Sequence, residues 1–267
     1  MTLTTGGRGT PQEVMVDTPL ALTGERTSPG IWHENYWFRR HEVVCAAVPG
    51  LLPCTPAVVL DAGSGEGYAA GLLRSAWPDL RVVGVDYDAS ACAHAARHHG
   101  GPHTAYLRGA LTSLPLADAT VDATVSLQVL EHIWTPREYV RELARVTRPD
   151  GALVLSTPNR TTFSPGLGRH EAPPNAYHCR EYDAEELATE LGRWLPGHEV
   201  TLAGLHHGTR LRTWEAAHGP VPDAVAGDPG LWPGPVRDLV ASVTVDDFVL
   251  GPADDDCLDL VAVLSPA

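Results

Sequence analysis

The chain has 267 residues, and its 33 acidic against 19 basic residues give a formal net charge of −14 with histidine neutral. Every basic residue is arginine, which excludes enzymes that need a catalytic lysine, such as pyridoxal-phosphate enzymes, P-loop nucleotide binders and protein kinases. The acidic balance argues against nucleic acid as a partner, because polyanion binding needs clustered basic side chains.

Residues 1–30 are rich in Thr, Gly and Pro and lack apolar periodicity, which predicts a flexible N-terminal arm. They also lack the apolar core of a signal peptide, and no apolar run in the chain reaches about 18 residues. We therefore expect a cytoplasmic protein without membrane insertion. The five cysteines include no C-x-x-C pair, so we expect free thiols.

Residues 31–267 are predicted to form one domain. It opens with an aromatic, amphipathic stretch from Trp32 to Val48 that indicates a helix. Short apolar runs then predict buried strands at 57–60, 81–85, 104–107, 123–127 and 152–156. Helical patterns separate them at 66–76, 89–98 and 136–147. This alternation predicts an α/β fold with a Rossmann-like, doubly wound and mostly parallel sheet.

The second half of the chain is less regular. A capping-box pattern at Asp183-x-x-Glu186 predicts a helix to about Leu191, and strands are predicted at 199–204 and 258–264. The proline-rich stretch 205–241 breaks the rhythm and is predicted to be an insertion that folds over a site as a lid. We expect it to close together with Thr23–Arg26 and Tyr36–His41, while residues 158–182 form a further loop on the substrate side.

The most informative segment is a buried strand that runs into a glycine-rich turn, Asp61-Ala-Gly-Ser-Gly-Glu-Gly67. Glycines allow a ligand to approach the backbone, and the following helix N-terminus offers amides and a positive dipole. The G-x-G-x-G spacing differs from the G-x-G-x-x-G of nicotinamide enzymes. A carboxylate at the strand end, Asp61, suits a cationic ligand better than a pyrophosphate.

A second carboxylate, Asp86, stands at the end of the next predicted strand, nineteen residues beyond Gly67. A carboxylate at this position of a doubly wound sheet accepts hydrogen bonds from the hydroxyls of a ribose. The alternative is that Asp61 and Asp86 only cap strand ends.

These motifs resemble those of class I S-adenosylmethionine-dependent methyltransferases, together with Leu114-Pro-Leu116, Gln128-Val-Leu-Glu-His-Ile133 and Ser156-Thr-Pro-Asn159. The resemblance implies a seven-stranded sheet whose last strand is antiparallel. It also implies S-adenosylmethionine as the cofactor, with S-adenosylhomocysteine as the product and no metal. The cofactor-binding residues that it implies are Asp61, Ala62, Gly63, Gly65, Gly67, Asp86, Tyr87, Ala110, Leu111 and Gln128.

One position departs from the pattern of that family. Many members carry Gly-Asp four residues before the Leu-Pro pair, whereas this chain has Gly109-Ala110. The carboxylate that would accept from the adenine amino group is therefore missing. Adenine must be held by the backbone of Ala110 and Leu111, by another side chain or by packing.

A narrower resemblance covers nearly the whole chain through Glu34-Asn-Tyr-Trp-Phe-Arg-Arg-His41, Asn175-Ala-Tyr-His-Cys-Arg-Glu181 and Leu258-Asp-Leu260. These segments are similar to actinobacterial methyltransferases of methylglucose lipopolysaccharide synthesis. The similarity implies O-methylation of a hexose hydroxyl in an oligosaccharide or small-molecule acceptor. A small aromatic or quinone-like acceptor, and a non-catalytic cofactor-binding partner subunit, remain alternatives.

A sugar hydroxyl is a poor nucleophile at neutral pH and gains from a general base, for which histidine is the usual choice. His132 follows the fourth strand at the edge where ligands bind, so we expect it to act ahead of His178, with Glu131 orienting it. His178 lies in a loop, where a hydrogen bond to the core is the alternative. His94 and His98 share a helix face without the acid of H-E-x-x-H, and we interpret them as solvated.

Overall fold

A computed structural model describes residues 27–267, so most of the predicted arm, including Thr23–Arg26, lies outside the described residues. The described part contains nine α-helices, four short 3-10 helices and eight strands. The helices are α1 (Asn35–Leu51), α2 (Tyr68–Ala76), α3 (Ala89–His99), α4 (Pro136–Val146), α5 (Arg160–Phe163), α6 (Ala184–Trp194), α7 (Thr209–His218), α8 (Val221–Ala224) and α9 (Gly234–Ser242). The strands are β1 (Val58–Ala62), β2 (Arg81–Asp86), β3 (Thr104–Arg108), β4 (Val121–Leu127), β5 (Thr147–Pro158), β6 (His198–His207), β7 (Phe248–Pro252) and β8 (Asp259–Pro266).

All eight strands form one sheet in the order β3-β2-β1-β4-β5-β8-β6-β7. Strands β1 to β5 pair in parallel, and β8 lies antiparallel between β5 and β6. The strand order reverses at β1, and in such sheets ligands bind in the crevice beyond the carboxyl ends of the strands. The predicted Rossmann-like α/β class, with a last antiparallel strand, is confirmed.

The sheet has eight strands, so the prediction of seven was wrong. The additional strand, β7, pairs antiparallel with the end of β6 and forms an edge. His206 and His207, expected to begin the insertion, belong to β6, where they pair with Val249 and Phe248. Their sequence shows no apolar alternation and therefore does not indicate a strand. The region is a strand because it pairs with a short segment that is distant along the chain.

Alternation along the strands divides the core into two layers. Val59 points into a layer formed with α1, α2 and α9, whereas its neighbour Leu60 points into a layer formed with α4 and α6. Both valine and leucine are fully buried. The sheet is therefore covered by helices on both faces, and its carboxyl edge is left for a site. No helix within residues 27–267 is long and apolar enough to cross a lipid bilayer.

The stretch 205–241 packs against α1, and none of its residues lines the two cavities at the carboxyl edge of the sheet. Its closure over a site as a lid stays a prediction. Its helices α7 to α9 contribute to the same core layer as α1. The buried Tyr36 hydroxyl lies 2.8 Å from His207 Nε2. The Asn35 amide donates to the carbonyls of Val240 and Val243 at 2.8 and 2.9 Å. Apolar residues on α9 bury themselves on α1 because this is the nearest apolar surface.

Asn35→Ala should weaken this attachment. The variant leaves two carbonyl groups at the end of α9 without their donor, so we expect the free energy of unfolding to fall by about 1–3 kcal/mol. Arg193→Ala, at an exposed position of α6, is the control and should change it by less than about 0.5 kcal/mol. Urea unfolding of both variants measures the effect, and equal stability of Asn35→Ala and wild type would contradict the assigned role.

Candidate active site

The glycine-rich turn after β1 needs glycine for two different reasons. Gly63, Gly65 and Gly67 all have positive φ angles, of 83°, 49° and 89°. A Cβ at Gly63 would lie 2.4 Å from Val129, and one at Gly67 would lie 2.7 Å from Ala95. At Gly65, by contrast, a Cβ would meet nothing within 4 Å. Gly65 therefore faces open space, where a ligand can approach its backbone.

Asp86 is tied to the turn by its carboxylate. One oxygen accepts from the Gly65 amide at 2.9 Å, and the other accepts from the Asp88 amide at 2.8 Å. The side chain is half-buried and lines the same cavity as Gly65. Asp86 therefore stands at the end of β2 with its carboxylate held beside the turn, as the sequence predicts for a ribose-binding residue.

Asp61 is buried beneath the turn and carries an unsatisfied oxygen. Its Oδ2 has no hydrogen-bond partner, although only 4% of the residue is exposed. Burial, and secondarily the nearby Asp86 charge, raise the pKa of Asp61 to about 7. Such a group gains from a cationic ligand, and Asp61 lines the cavity in which one would lie. Ala62, predicted beside it, is fully buried and lines neither cavity described here.

The glycine-turn cavity, bounded by Asp61, Gly65 and Asp86, has a volume of about 890 Å³. Tyr87, Ala110 and Leu111, three of the predicted cofactor-binding residues, also line it. Thr112, Ile133 and Trp134 line the cavity too but were not predicted. Ala110 offers no carboxylate, so the way in which this cavity holds adenine stays as open as the sequence left it.

Gln128 lies where this cavity meets a second one. Its φ of 54° is unusual for a residue other than glycine. Its Nε2 donates to Ser156 Oγ and to Asp259 Oδ1, both at 3.2 Å. Gln128 lines both cavities, together with Thr27, His41 and His132. These four residues form the junction through which a group could pass from one cavity to the other.

The second cavity, which we name the histidine cavity, has a volume of about 310 Å³. It contains all three predicted catalytic residues, Glu131, His132 and His178. Residues of α1 and of the loop after β5 close it. They are Glu34, Trp37, Arg40, Pro158, Phe163, Ser164, Pro174, Asn175 and Glu181.

His132 is held by the backbone on one side and by a carboxylate on the other. Its Nδ1 lies 3.0 Å from the carbonyl oxygen of Tyr177, an acceptor, so Nδ1 carries a proton and Nε2 is the basic atom of the neutral ring. Nε2 lies 3.8 Å from Glu131 Oε1. Glu131 is 1% exposed, and its other oxygen accepts from Thr157 Oγ1 at 3.0 Å. Burial raises the pKa of Glu131.

His178 has a different set of partners. Its Nδ1 lies 2.6 Å from Glu181 Oε1, and its Nε2 lies 3.1 Å from the amide nitrogen of Asn175. The two imidazole rings meet edge to face at an interplanar angle of 73°, with centroids 5.0 Å apart. His178 lines only the histidine cavity, whereas His132 lines both. The structure thus brings the two predicted histidines together, with His132 nearer to the junction.

The histidine pair and Glu131 also meet the spacing of a metal site. One ligand atom from each lies within 4.8 Å of the others. Two imidazoles and a carboxylate form a donor set that several divalent ions accept. The prediction of a metal-independent site therefore needs its own test, which is included below.

The segments Tyr36–His41 and 158–182 were predicted to lie on the acceptor side, but Arg40, Phe163 and Glu181 within them were not singled out. All three line the histidine cavity. Arg40 is a buried residue of α1 that reaches Asp259 on the last strand. Because these residues come from distant parts of the chain, only the fold reveals that they line one cavity.

The comparisons with known proteins agree with this geometry. The methyltransferase domain family matches residues 60–155. A probable S-adenosylmethionine-dependent methyltransferase of Mycobacterium tuberculosis is 45% identical over 256 residues, which cover 91% of this chain and 89% of that protein. The chain belongs to the S-adenosylmethionine-dependent methyltransferases. A further probable methyltransferase of this kind, from Mycolicibacterium smegmatis, is 45% identical over 91% of this chain and 94% of its own length.

A solved structure supports the fold of this methyltransferase. A possible histamine N-methyltransferase from Thermotoga maritima covers 88% of this chain and 95% of its own, with a TM-score of 0.58. At 14% identity this likeness concerns the fold alone.

The glycine-turn cavity of the methyltransferase fits S-adenosylmethionine, the cofactor of its family. The unsatisfied Asp61 oxygen suits the cofactor's ammonium group, and the open space at Gly65 admits its chain. Asp86 stands at the ribose position of such sheets. When bound, the cofactor supplies an activated methyl group on a sulfonium, and we expect this group to lie near the junction at Gln128.

Asp61→Asn should change both the strength and the pH dependence of cofactor binding. With a pKa near 7, the Asp61 carboxyl is mostly protonated at pH 5.5 and mostly ionised at pH 7.5. Because the ionised form attracts an ammonium group, wild-type affinity should rise over this range. The variant should bind the cofactor about tenfold more weakly at pH 7.5, and its affinity should change little between pH 5.5 and 7.5. Calorimetric titration at several pH values measures both effects.

Two controls accompany this variant. Asp118→Asn changes an exposed carboxylate outside both cavities and should retain wild-type affinity. Without ligand, Asp61→Asn should be more stable than wild type at pH 8. A carboxyl whose pKa is raised in the folded state makes the protein less stable as pH rises, and asparagine has no such effect. This advantage should shrink toward pH 4. An unchanged affinity profile in Asp61→Asn would contradict the assignment.

Proposed function

We propose that this methyltransferase transfers a methyl group to a hydroxyl of a sugar or oligosaccharide, in polymethylated polysaccharide synthesis. The observation that carries the proposal is the place of His132. Its basic Nε2 lies at the junction of the glycine-turn and histidine cavities, beside the buried Glu131. A hydroxyl acceptor must lose its proton as it reacts, and a base at this junction is placed to take that proton.

The proposed reaction is a single displacement. The acceptor hydroxyl would lie in the histidine cavity beside Gln128, where bound S-adenosylmethionine would supply the methyl group and its sulfur would leave with the bonding electrons. The hydroxyl proton passes to His132 Nε2. The resulting imidazolium is stabilised by the Glu131 carboxylate at 3.8 Å, while the Tyr177 carbonyl holds the ring orientation. S-Adenosylhomocysteine and an O-methylated acceptor are the products.

The lining of the histidine cavity supports a sugar acceptor. Trp37 and Phe163 offer aromatic surface, with ring centroids 6.2 Å apart. Asn175 and Ser164 offer uncharged hydrogen-bonding groups among them. Binding sites commonly combine a few placed polar groups with apolar surface, and a sugar ring has both hydroxyls and apolar faces to match. The narrower sequence resemblance points to the same acceptor class.

Incubation with a labelled methyl donor and a panel of glucosides, mannosides, phenols and quinols tests the proposal. We expect label on the saccharides, in a product that is stable as an ether. Label on phenols or quinols alone would replace the sugar acceptor with an aromatic one. Cofactor binding without transfer to any acceptor would instead support a non-catalytic partner subunit.

His132→Ala should lower turnover by about 10²–10⁴-fold while cofactor affinity stays nearly unchanged, because a general base acts in the reaction and not in donor binding. His178→Ala should have a smaller effect, since its Nε2 already faces Asn175. His94→Ala on α3 is the matched control and should be neutral, because His94 lines neither cavity.

The same assay with and without a metal chelator separates proton transfer from metal catalysis. A general-base mechanism predicts unchanged turnover in the chelator. Loss of turnover that a divalent ion restores would contradict it and assign Glu131, His132 and His178 to a metal site. Near-normal turnover in both histidine variants would place the base elsewhere.

A further inference from the structure

The histidine cavity is rich in carboxylates. Glu34, Glu131 and Glu181 all line it, and Glu131 and Glu181 are 1% and 3% exposed. The Oε2 atom of Glu181 is buried without a hydrogen-bond partner. Glu34 lies on the α1 side of the cavity, with His33 3.5 Å from its carboxylate. An acceptor in this cavity therefore lies among three carboxyl groups of the lining.

Arg40 is a positively charged side chain of the cavity lining, but its charge is already neutralised by a carboxylate. Its Nε donates to Asp259 Oδ2 at 3.2 Å, and its Nη2 donates to Asp259 Oδ1. The guanidinium carbon lies 5.0 Å from the Trp37 ring centroid and 4.7 Å from that of Phe163. Only 5% of Arg40 is exposed. A guanidinium engaged in this way has little charge to offer an anionic acceptor.

The three histidines that line the cavity likewise offer no uncompensated positive charge. His178 faces Glu181 and His132 faces Glu131, so a proton on either ring is balanced by its own carboxylate. His41 is half-buried, and desolvation lowers its pKa to about 4, which keeps it neutral at physiological pH. Among residues 27–267, each basic side chain that lines the cavity is therefore neutral or faces a carboxylate.

We propose that the histidine cavity selects uncharged acceptors and rejects acceptors that carry a phosphate or a carboxylate. An anion placed there loses its hydration and, among the lining residues of 27–267, meets carboxylates without an unmatched cation. Sugar phosphates, nucleotide sugars and uronic acids are thus excluded, and the sugar is methylated as a neutral glycoside or oligosaccharide. The choice among saccharides rests on the proposed function, whereas the charge selection rests on the cavity.

Matched pairs of acceptors test the charge selection at pH 8. The saccharide set compares a neutral methyl glucoside with glucose 1-phosphate, glucose 6-phosphate and a methyl glucuronide. The charged group does not replace the same hydroxyl in all of them, so the loss of one reactive hydroxyl cannot explain why every charged sugar is rejected. The aromatic set compares catechol with 3,4-dihydroxybenzoate. We expect kcat/KM for the neutral member to exceed that of each charged member by about a hundredfold or more. A charged member used within about tenfold of its neutral partner would overturn the proposal.

The two sets separate the two proposals. Transfer to saccharides, with a charged one preferred, would overturn the charge selection and leave sugar O-methylation intact. Transfer to the aromatic set alone, with catechol preferred, would overturn the sugar acceptor and support the charge selection.

The variant Glu34→Gln tests whether a carboxylate of the cavity lining causes the rejection of charged acceptors. It removes one charge from the cavity at nearly constant size, so the ratio of neutral to charged kcat/KM should fall about three- to tenfold, through better use of the charged acceptor. Glu138→Gln, at an exposed position of α4, is the matched control and should leave the ratio unchanged. A ratio that does not differ between Glu34→Gln and Glu138→Gln would contradict the role of Glu34. Melting temperatures of both variants check that the fold is retained.

Discussion

The buried ion pair between Arg40 and Asp259 connects the separate parts of this site. Arg40 belongs to α1, whereas Asp259 begins the last strand, and their side chains are 6% and 2% exposed. Asp259 also accepts from Gln128, the residue that lines both cavities. Burying two charges is costly unless they are paired and hydrogen-bonded, and loss of one partner costs about 3–5 kcal/mol. The helix, the last strand and the junction between the cavities therefore depend on one another.

The order of the strands explains why these groups meet. Strand β8 is antiparallel, so its first residue lies beside the carboxyl end of β5, where Asp259 pairs with Pro158. The carboxyl ends of β1 and β2 bring Asp61 and Asp86 to the same edge, and the glycine turn joins them. One edge of the sheet thus holds the glycine-turn cavity next to the histidine cavity.

Carboxylates have distinct tasks in the two cavities. In the glycine-turn cavity, the unsatisfied oxygen of Asp61 complements a positive ligand, and Asp86 positions the turn. In the histidine cavity, Glu131 and Glu181 face imidazoles, and Asp259 faces a guanidinium. Among residues 27–267, the charges that line the histidine cavity are balanced or negative, which is a property of the assembled cavity and of none of its segments alone.

The sequence by itself determined the parallel half of the sheet and the cofactor turn. Strands β1, β4 and the second half of β5 are buried on both faces, and all five parallel strands overlap the predicted apolar runs. The turn needs glycine at fixed positions because of its backbone angles. Asp61, Asp86, Glu131 and His132 could be located for the same reason, since each lies within a few residues of the end of such a strand.

Only the tertiary structure decided where the remaining segments lie. Strand β7 forms because it pairs with β6 about forty residues away along the chain, and the stretch 205–241 packs on α1 because its apolar residues bury themselves there. Arg40, Phe163, Glu181 and Asp259 come from four separate segments and meet through long-range packing. Local patterns record turns and strand ends, whereas the charge balance of a cavity depends on contacts between residues that are far apart in the chain.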